Sequence, residues 1–411
     1  MGLSGVQRTQ KFAKFLPEFD WKPLVLTTDS KGFYAYDNTL LSEFEGRKIE
    51  IFRTKDQKSS KKSDENNKKI KIPSWTKQKI GRYIFGWIFF PDRFIKWKKP
   101  AEILAKEIIK ENAPDVILAT APPFTDFLLA QELAKKHNIP FVVDYRDSWT
   151  SNEFHYFPTP LHKNKIQKLE ERILSQAEKI IVISRHAKEL ILKRYQFLTH
   201  QDIQIIPHGY DEEDFLAHPN AKPDANIMTI THSGMFQDNR TPKFFMRALS
   251  EFLKENQNAR GKIRLRLVGA MRKSHLRLIK KFKLEESVSP VGNVSHQQAV
   301  KYLLESDVLW LMLADKIRTP GKLYEYFGAR KTLFVTSPDG NMKDLAKKSG
   351  AAFTTKHDDI QAIKENITSL FKLWQGGALP YPNEEFVSGY QRRKLTQELA
   401  KTLSGAIHIT Q

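Results

Sequence analysis

The segment Thr319-Pro-Gly-Lys-Leu-Tyr-Glu-Tyr-Phe-Gly-Ala-Arg-Lys331 carries residue types suited to a diphosphate. It follows a short apolar run and reads as the start of a helix. Gly321 lets backbone approach a ligand, and the unpaired N–H groups of the first turn, through Lys322 and Leu323, point at an anion. Lys322 adds a full positive charge. Glu325, one turn on and on nearly the same face, has a carboxylate that can accept two ribose hydroxyls. The same spacing also fits an ordinary helix start with an exposed i, i+3 ion pair. A second segment, Ser233-Gly-Met-Phe-Gln-Asp-Asn-Arg-Thr-Pro-Lys243, lies between an apolar run and a helical pattern whose first turn could hold Pro242. Gly234 opens its loop, and Arg240 is a second candidate phosphate ligand because a guanidinium meets phosphate oxygens in bidentate fashion.

In the first half, Asp144, Arg146 and Asp147 fall just beyond the expected end of a strand, where side chains face a cleft. They could bind an acceptor or assist removal of its proton; a buried Asp–Arg pair that fixes the loop fits the same pattern. The chain has no cysteine, which removes disulfides, thiolate catalysis and cysteine-bound zinc. Its formal net charge of +20 favours anionic partners in general. Nucleic acid is not expected among them, since no zinc-ligand set, aromatic nucleic-acid motif or recognition-helix pattern accompanies the charge. Part of that charge is a polar tract from Arg53 to Lys71, which reads as a solvated loop. The stretch Arg82 to Lys99 mixes aromatics with cations, as suits an anionic membrane surface or, equally, a packed loop and helix. No secretory pattern opens the chain and no run of about 18 apolar residues occurs. The expected location is therefore cytoplasmic, with peripheral attachment to the inner face of the cell membrane through Arg82 to Lys99.

These residues need elements to position them. The 411 residues exceed the ~300 at which single cores stop growing, so two domains are expected. From Ala101 helical and strand-like segments alternate, with apolar runs at Asp115–Thr120, Pro140–Asp144, Lys179–Ser184 and Ile203–Pro207. After the polar connector Asp211–Asp224 a second cycle carries runs at Ile227–Ser233, Ile263–Gly269, Val308–Leu313 and Leu333–Thr336. Short apolar runs between helices predict parallel strands buried on both faces. Two such blocks predict an α/β protein of two doubly wound Rossmann-like domains with a cleft between them, over 1–210 and 211–383. The last segment, 384–411, is helical over Glu384–Leu403 but follows Gly376, Gly377, Pro380 and Pro382, and should pack back on the first domain.

In this order the motifs resemble glycosyltransferase family 4, in particular the bacterial members that build surface polysaccharides such as lipopolysaccharide. The matching pieces span nearly the whole chain: Gly5-Val-Gln-Arg-Thr9, Phe19-Asp-Trp-Lys-Pro-Leu-Val-Leu-Thr27, Pro114-Asp-Val-Ile117, Asp144-Tyr-Arg-Asp-Ser-Trp149, Ile206-Pro-His-Gly-Tyr-Asp211, Val268-Gly269, Gly292-Asn-Val-Ser-His296 and Pro320-Gly-Lys-Leu-Tyr-Glu-Tyr326. The resemblance implies the GT-B fold and a retaining, metal-independent transfer from a UDP- or GDP-type sugar, which is a substrate; no cofactor is expected. It implies a glycan or lipid-linked acceptor. Gly234 and its loop would cover the donor phosphates, Arg240 and Lys322 neutralise them, Glu325 hold the ribose, and the loop at Val294 border the base. Gly5 would belong to a glycine loop on the acceptor side.

Three positions depart from the family pattern. Ile317 stands eight places before Glu325, where a second glutamate often contacts the donor sugar. His208 replaces the usual asparagine of the Pro-Asn-Gly turn, as a donor contact or a capping side chain. The family's apolar first strand precedes its glycine loop, whereas this chain starts at the loop, so a gap in the first sheet is expected. A binding protein that keeps the nucleotide-sugar cleft without turnover is the alternative reading.

Overall fold

The computed structural model describes residues 4–28, 43–47, 49–54, 86–151, 157–236 and 240–408. Most of the Arg53–Lys71 tract and residues 82–85 of the aromatic stretch lie outside these residues. The first domain runs α1 (Ser4–Phe15), β1 (Leu24–Thr28), β2 (Glu50–Thr54), α2 (Ile95–Asn112), β3 (Ile117–Ala121), α3 (Thr125–His137), β4 (Phe141–Tyr145), α4 (Pro160–Leu174), β5 (Lys179–Val182), α5 (Arg185–Arg194) and β6 (Ile203–Ile205). The second continues α6 (Glu212–Leu216), β7 (Met228–Ser233), α7 (Lys243–Glu255), β8 (Ile263–Val268), α8 (Lys273–Lys281), β9 (Val288–Gly292), α9 (His296–Leu304), β10 (Val308–Met312), α10 (Gly321–Ala329), β11 (Thr332–Thr336), α11 (Asn341–Lys348), β12 (Ala352–Thr355), α12 (Ile360–Gln375) and α13 (Glu384–Ser388). The last helix, α14 (Arg392–His408), packs on α1, β4 and β5 of the first domain.

The strand pairings are parallel throughout, in sheets ordered β12-β11-β10-β7-β8-β9 and β3-β4-β5-β6, with β1-β2 as a separate pair. Every residue of β4, β10 and β11 is buried, because helices cover both faces. That is why these runs are apolar without alternation. Among the described residues no ladder joins β1 to β3, although Leu26 of β1 and Ile117 of β3 pack into one cluster with Ala101, Ala105, Leu129 and Leu133 of α2 and α3. The two pieces therefore share a helix layer without sharing backbone hydrogen bonds.

Two local features differ from the sequence pattern. The connector contains a short helix, α6, whose Asp211 side chain accepts from the Glu213 N–H at 3.1 Å. The terminal helix is broken at residues 389–391, where the chain crosses back beside the outgoing connector. Tyr210 N–H donates to the Tyr390 carbonyl at 3.0 Å and Arg392 N–H to the Tyr210 carbonyl at 2.7 Å. The two crossings thus lie side by side between the lobes.

Candidate functional site

The loop that follows β4 is held from beneath. Glu170 of α4 is buried and accepts from Tyr145 Oη at 3.0 Å, Tyr195 Oη at 2.8 Å and the Thr150 hydroxyl. Trp149 is buried and stacks on Phe124 with ring centres 4.4 Å apart. Three hydroxyl donors on one buried carboxylate fix one loop geometry. Asp144 is engaged by Arg8 of α1, which donates Nη2 at 2.7 Å and Nε at 3.0 Å, and by Thr120 Oγ1 at 2.9 Å. Arg8 is itself fully buried and also donates to the carbonyls of Ile206 and Pro207, at 2.9 and 2.8 Å. The Asp–Arg pair weighed for Asp144 and Arg146 is thus formed with Arg8. Arg146 donates to the Pro122 carbonyl, and Asp147, the exposed member, faces Arg146 and, from the second domain, Arg318.

His208 lies at the junction of the lobes with its ring 6.1 Å from that of Tyr324. Burial, reinforced by the charges of Arg8, Arg392 and Arg146, holds its pKa well below the ordinary histidine value, so the ring is neutral there. Gly5 falls in the first turn of α1 rather than in a loop.

On the second lobe, β7 and β8 end in two glycines with positive φ, Gly234 at 142° and Gly269 at 125°. Gly234 N–H donates to the Val268 carbonyl at 2.8 Å, and a Cβ on Gly269 would lie 2.6 Å from the Gly234 carbonyl oxygen. Close approach excludes a side chain at Gly269, whereas at Gly234, where an added Cβ would meet nothing nearer than 4.0 Å, it is the backbone angle that favours glycine. Tyr326 of α10 reaches under them, its hydroxyl accepting from Ser233 N–H at 2.8 Å and donating to the Trp310 carbonyl at 3.2 Å. Residues 237–239 of the loop lie outside the described residues; Arg240 beyond them is half-buried, and Pro242 is the residue just before α7.

Gly321 is the first residue of α10, and Lys322 Nζ meets Glu325 Oε2 at 2.6 Å, with Glu325 buried. Leu323 points into the core, and its N–H, expected to point unpaired at an anion, donates to the Pro320 carbonyl at 3.0 Å. Lys322 and Arg240 act on a common neighbour, His232 at the end of β7. Burial first, and then these two cations, depress its pKa to about 3. That ring stacks on Phe236 at 4.3 Å and shares a hydrogen bond with the Trp310 carbonyl at 3.0 Å. The structure therefore brings Gly234, Arg240, Gly321, Lys322 and Glu325 to one end of the sheet, and Val294 lies half-buried on the neighbouring β9–α9 loop. Asp315 caps the turn holding Ile317, accepting from the N–H groups of Ile317 and Arg318 at 3.2 and 2.9 Å.

Between the lobes a small recess is lined by residues that include Gln7, Lys11, Asp214, His296, Glu325 and Arg392. Beside it Glu43 converges with Asp211 and Asp214 of its wall, carboxylate oxygens within 4.8 Å of one another. Lys11 Nζ lies 2.6, 2.7 and 2.8 Å from them, so an ammonium occupies the centre of that carboxylate cluster. Burial alone would lower the lysine pKa; the three carboxylates outweigh it and raise it. Sequence reasoning singled out neither Lys11 nor His232, whose neighbours are distant in the chain. Arg8 and His296 appear inside the quoted motifs, yet their partners could not be read from them.

Two family models match. One described as Glycosyltransferase Family 4 covers residues 49–214, and one described as Glycosyl transferases group 1 covers residues 228–372. No curated protein matches the chain in sequence. Among solved structures, a glycosyltransferase from Rickettsia africae is similar at 16% identity and a TM-score of 0.63, covering 98% of this chain and 95% of that one. Anabaena HepE in complex with UDP and glucose is similar at 14% identity and a TM-score of 0.65, covering 98% and 96%. The Escherichia coli protein bound with UDP-2-fluoro glucose is similar at 13% identity and a TM-score of 0.58, covering 93% and 98%.

Proposed function

The chain belongs to the family 4 glycosyltransferases, with the two-lobed GT-B fold, and from that premise we propose that it moves a sugar from a UDP- or GDP-type donor to a glycan or lipid-linked acceptor in the synthesis of a cell-surface polysaccharide. The observation that carries this reading is that the charges of Arg240 and Lys322 both act on His232 beside the glycine-lined ends of β7 and β8, with Glu325 paired to Lys322 at the start of α10. A departing nucleoside diphosphate gains negative charge. Two fixed cations and the N-terminal amides of α10 stabilise that charge more in the transition state than in the bound donor. On this reading the donor breaks the Lys322–Glu325 pair, the lysine turning to phosphate and the carboxylate to the ribose hydroxyls. The Val294 loop borders the base. HepE and the E. coli neighbour with their uridine ligands, similar in fold, support a nucleotide-sugar substrate.

Retention of anomeric configuration and independence of metal follow the family resemblance. Ile317 offers no polar group to the donor sugar, so Asp147 and Arg318, facing each other across the cleft, are the nearest polar candidates on that side. Asp144 acts in this scheme through Arg8, fixing the cleft wall, and Arg146 holds the same loop. A lipid-linked acceptor, met at the inner face of an anionic membrane, is supported by the exposed Trp87, Ile88 and Phe90 beside exposed Arg93, Lys96 and Lys99.

Donor-panel thermal stabilisation followed by product analysis tests the assignment. A bound nucleotide-sugar at about 100 times its Kd adds roughly 2.7 kcal/mol of apparent stability. Lys322→Ala should weaken nucleotide affinity about tenfold or more, the worth of a charge-assisted hydrogen bond. Unchanged affinity in that variant would remove the donor site. The unjoined β1–β2 and β3–β6 sheets favour one other reading, binding without turnover, which stabilisation by nucleotide without product would support.

A further inference from the structure

A closed ring of four polar side chains crosses the boundary between the lobes beside Glu325. Gln7 and Lys11 sit one turn apart on α1 and belong to the first domain; Asp214 of α6 and His296 at the start of α9 belong to the second. Gln7 Nε2 lies 2.9 Å from His296 Nδ1, His296 Nε2 lies 3.0 Å from Asp214 Oδ2, and Lys11 Nζ donates to Asp214 Oδ1 at 2.8 Å. The i, i+4 spacing of Gln7 and Lys11 closes the ring through one turn of helix.

The members hold one another in orientation. Asp214 takes a proton donor on each oxygen, and both nitrogens of His296 are engaged, so the imidazole has no free edge for a ligand. Ser295, whose hydroxyl accepts from Gln298 N–H at 3.2 Å, fixes the start of α9 on which the ring hangs. Charged groups face His296 from every side: Asp214 from α6 and Glu325 and Lys322 from α10, with Lys11 of α1 behind Asp214. His296 therefore stands between the carboxylate assigned to the ribose and the leading helix of the opposite lobe.

We propose that His296 is a positioning residue for the donor, tying α1 of the first domain to the ribose side of the second so that the nucleotide is bound by the closed cleft. The proposal rests on Glu325 as the ribose ligand. It gives Gln7 and His296 an effect on donor binding without contact to the donor, and it makes the Gln7–His296 contact the outermost link between α1 and the donor lobe. The amide of Gln7 serves either protonation state of the imidazole, donating to a bare Nδ1 or, turned over, accepting from Nδ1–H.

The test measures the affinity of the full chain for UDP and GDP by titration calorimetry, its radius of gyration by small-angle scattering, and kcat and KM with the best donor. Gln7→Leu should weaken nucleotide binding about fivefold, the value of one hydrogen bond, and raise KM more than it lowers kcat. The unliganded variant should be wider than the parent, with saturating nucleotide returning it to the parent radius. His296→Gln, which keeps a donor and an acceptor, should recover most of the affinity that His296→Leu loses. If Gln7→Leu matches the parent in affinity and radius while Lys322→Ala has lost the nucleotide, the ring has no role in donor binding and the donor site stands. If Lys322→Ala binds as the parent does, the site reading on which the ring depends is what fails.

Discussion

Asp126 is the second residue of α3, and its Oδ1 is sealed from solvent without a hydrogen-bond partner. Burial, with the charge of Asp92 beside it, pushes the carboxyl up to about 8, although Arg146 pulls the other way. The folded chain then holds a proton that the unfolded chain releases at ordinary carboxylate pH. Stability should fall as pH rises from about 4 to 8 and level off beyond. Asp126→Asn removes the cost of ionisation, so urea unfolding should find it more stable than the parent by about 1–3 kcal/mol at pH 9 and little different at pH 4. A pH-independent gap would show that Oδ1 is solvated in the folded state. Residues of this kind mark the limit of what the chain discloses when read linearly. Lys322 and Glu325 are visible because charge at a helix start has local meaning. Arg8 and His296 take theirs from Asp144 and Gln7, 136 and 289 positions away, and no local spacing encodes such pairings.

Among the elements, the paired strand ends of the second lobe carry the sharpest steric condition. Gly269→Ala puts a methyl 2.6 Å from the Gly234 carbonyl oxygen at a φ of 125°. The Gly234 loop must then move off the site, and nucleotide affinity should drop about tenfold or more while the fold persists. Gly261→Ala supplies the control: its φ is 75° and nothing lies within 4 Å of the added carbon. It should cost about 1 kcal/mol in thermal unfolding and leave affinity unchanged. Equal loss of affinity in both variants would refute the steric argument. The strands themselves were legible to within a residue at an end, since β4, β10 and β11 overlap runs whose apolar continuity requires cover on both faces. The break before α14 was not, because it is set by pairing with Tyr210 rather than by the residues at the break.

For the whole molecule, a net charge of +20 meets an apolar patch in which Trp87 is 51%, Ile88 63% and Leu161 73% exposed. His162 joins its two sides, its ring 5.0 Å from that of Trp87. No helix among the described residues is long and apolar enough to cross a membrane. Binding to phosphatidylglycerol vesicles should exceed binding to phosphatidylcholine vesicles and weaken with salt. Trp87→Ala combined with Ile88→Ala should reduce it about a hundredfold or more in cosedimentation, given roughly 1.5–3 kcal/mol for each large side chain withdrawn from water. Vesicle binding unaltered by both changes would place the contact elsewhere. The two-lobe architecture was readable from the repeated alternation of runs, and where a gap in the first sheet is expected the described residues hold a β1–β2 pair that no ladder joins to β3. One last property follows from the crossings at Tyr210 and Tyr390–Arg392, which touch through two backbone hydrogen bonds. A lobe whose entry and exit are adjacent is topologically an insertion, and it can be excised as a cassette and replaced by another of the same kind without re-routing the host. On the proposed function, exchange between such chains would transplant sugar choice while leaving the host framework in place.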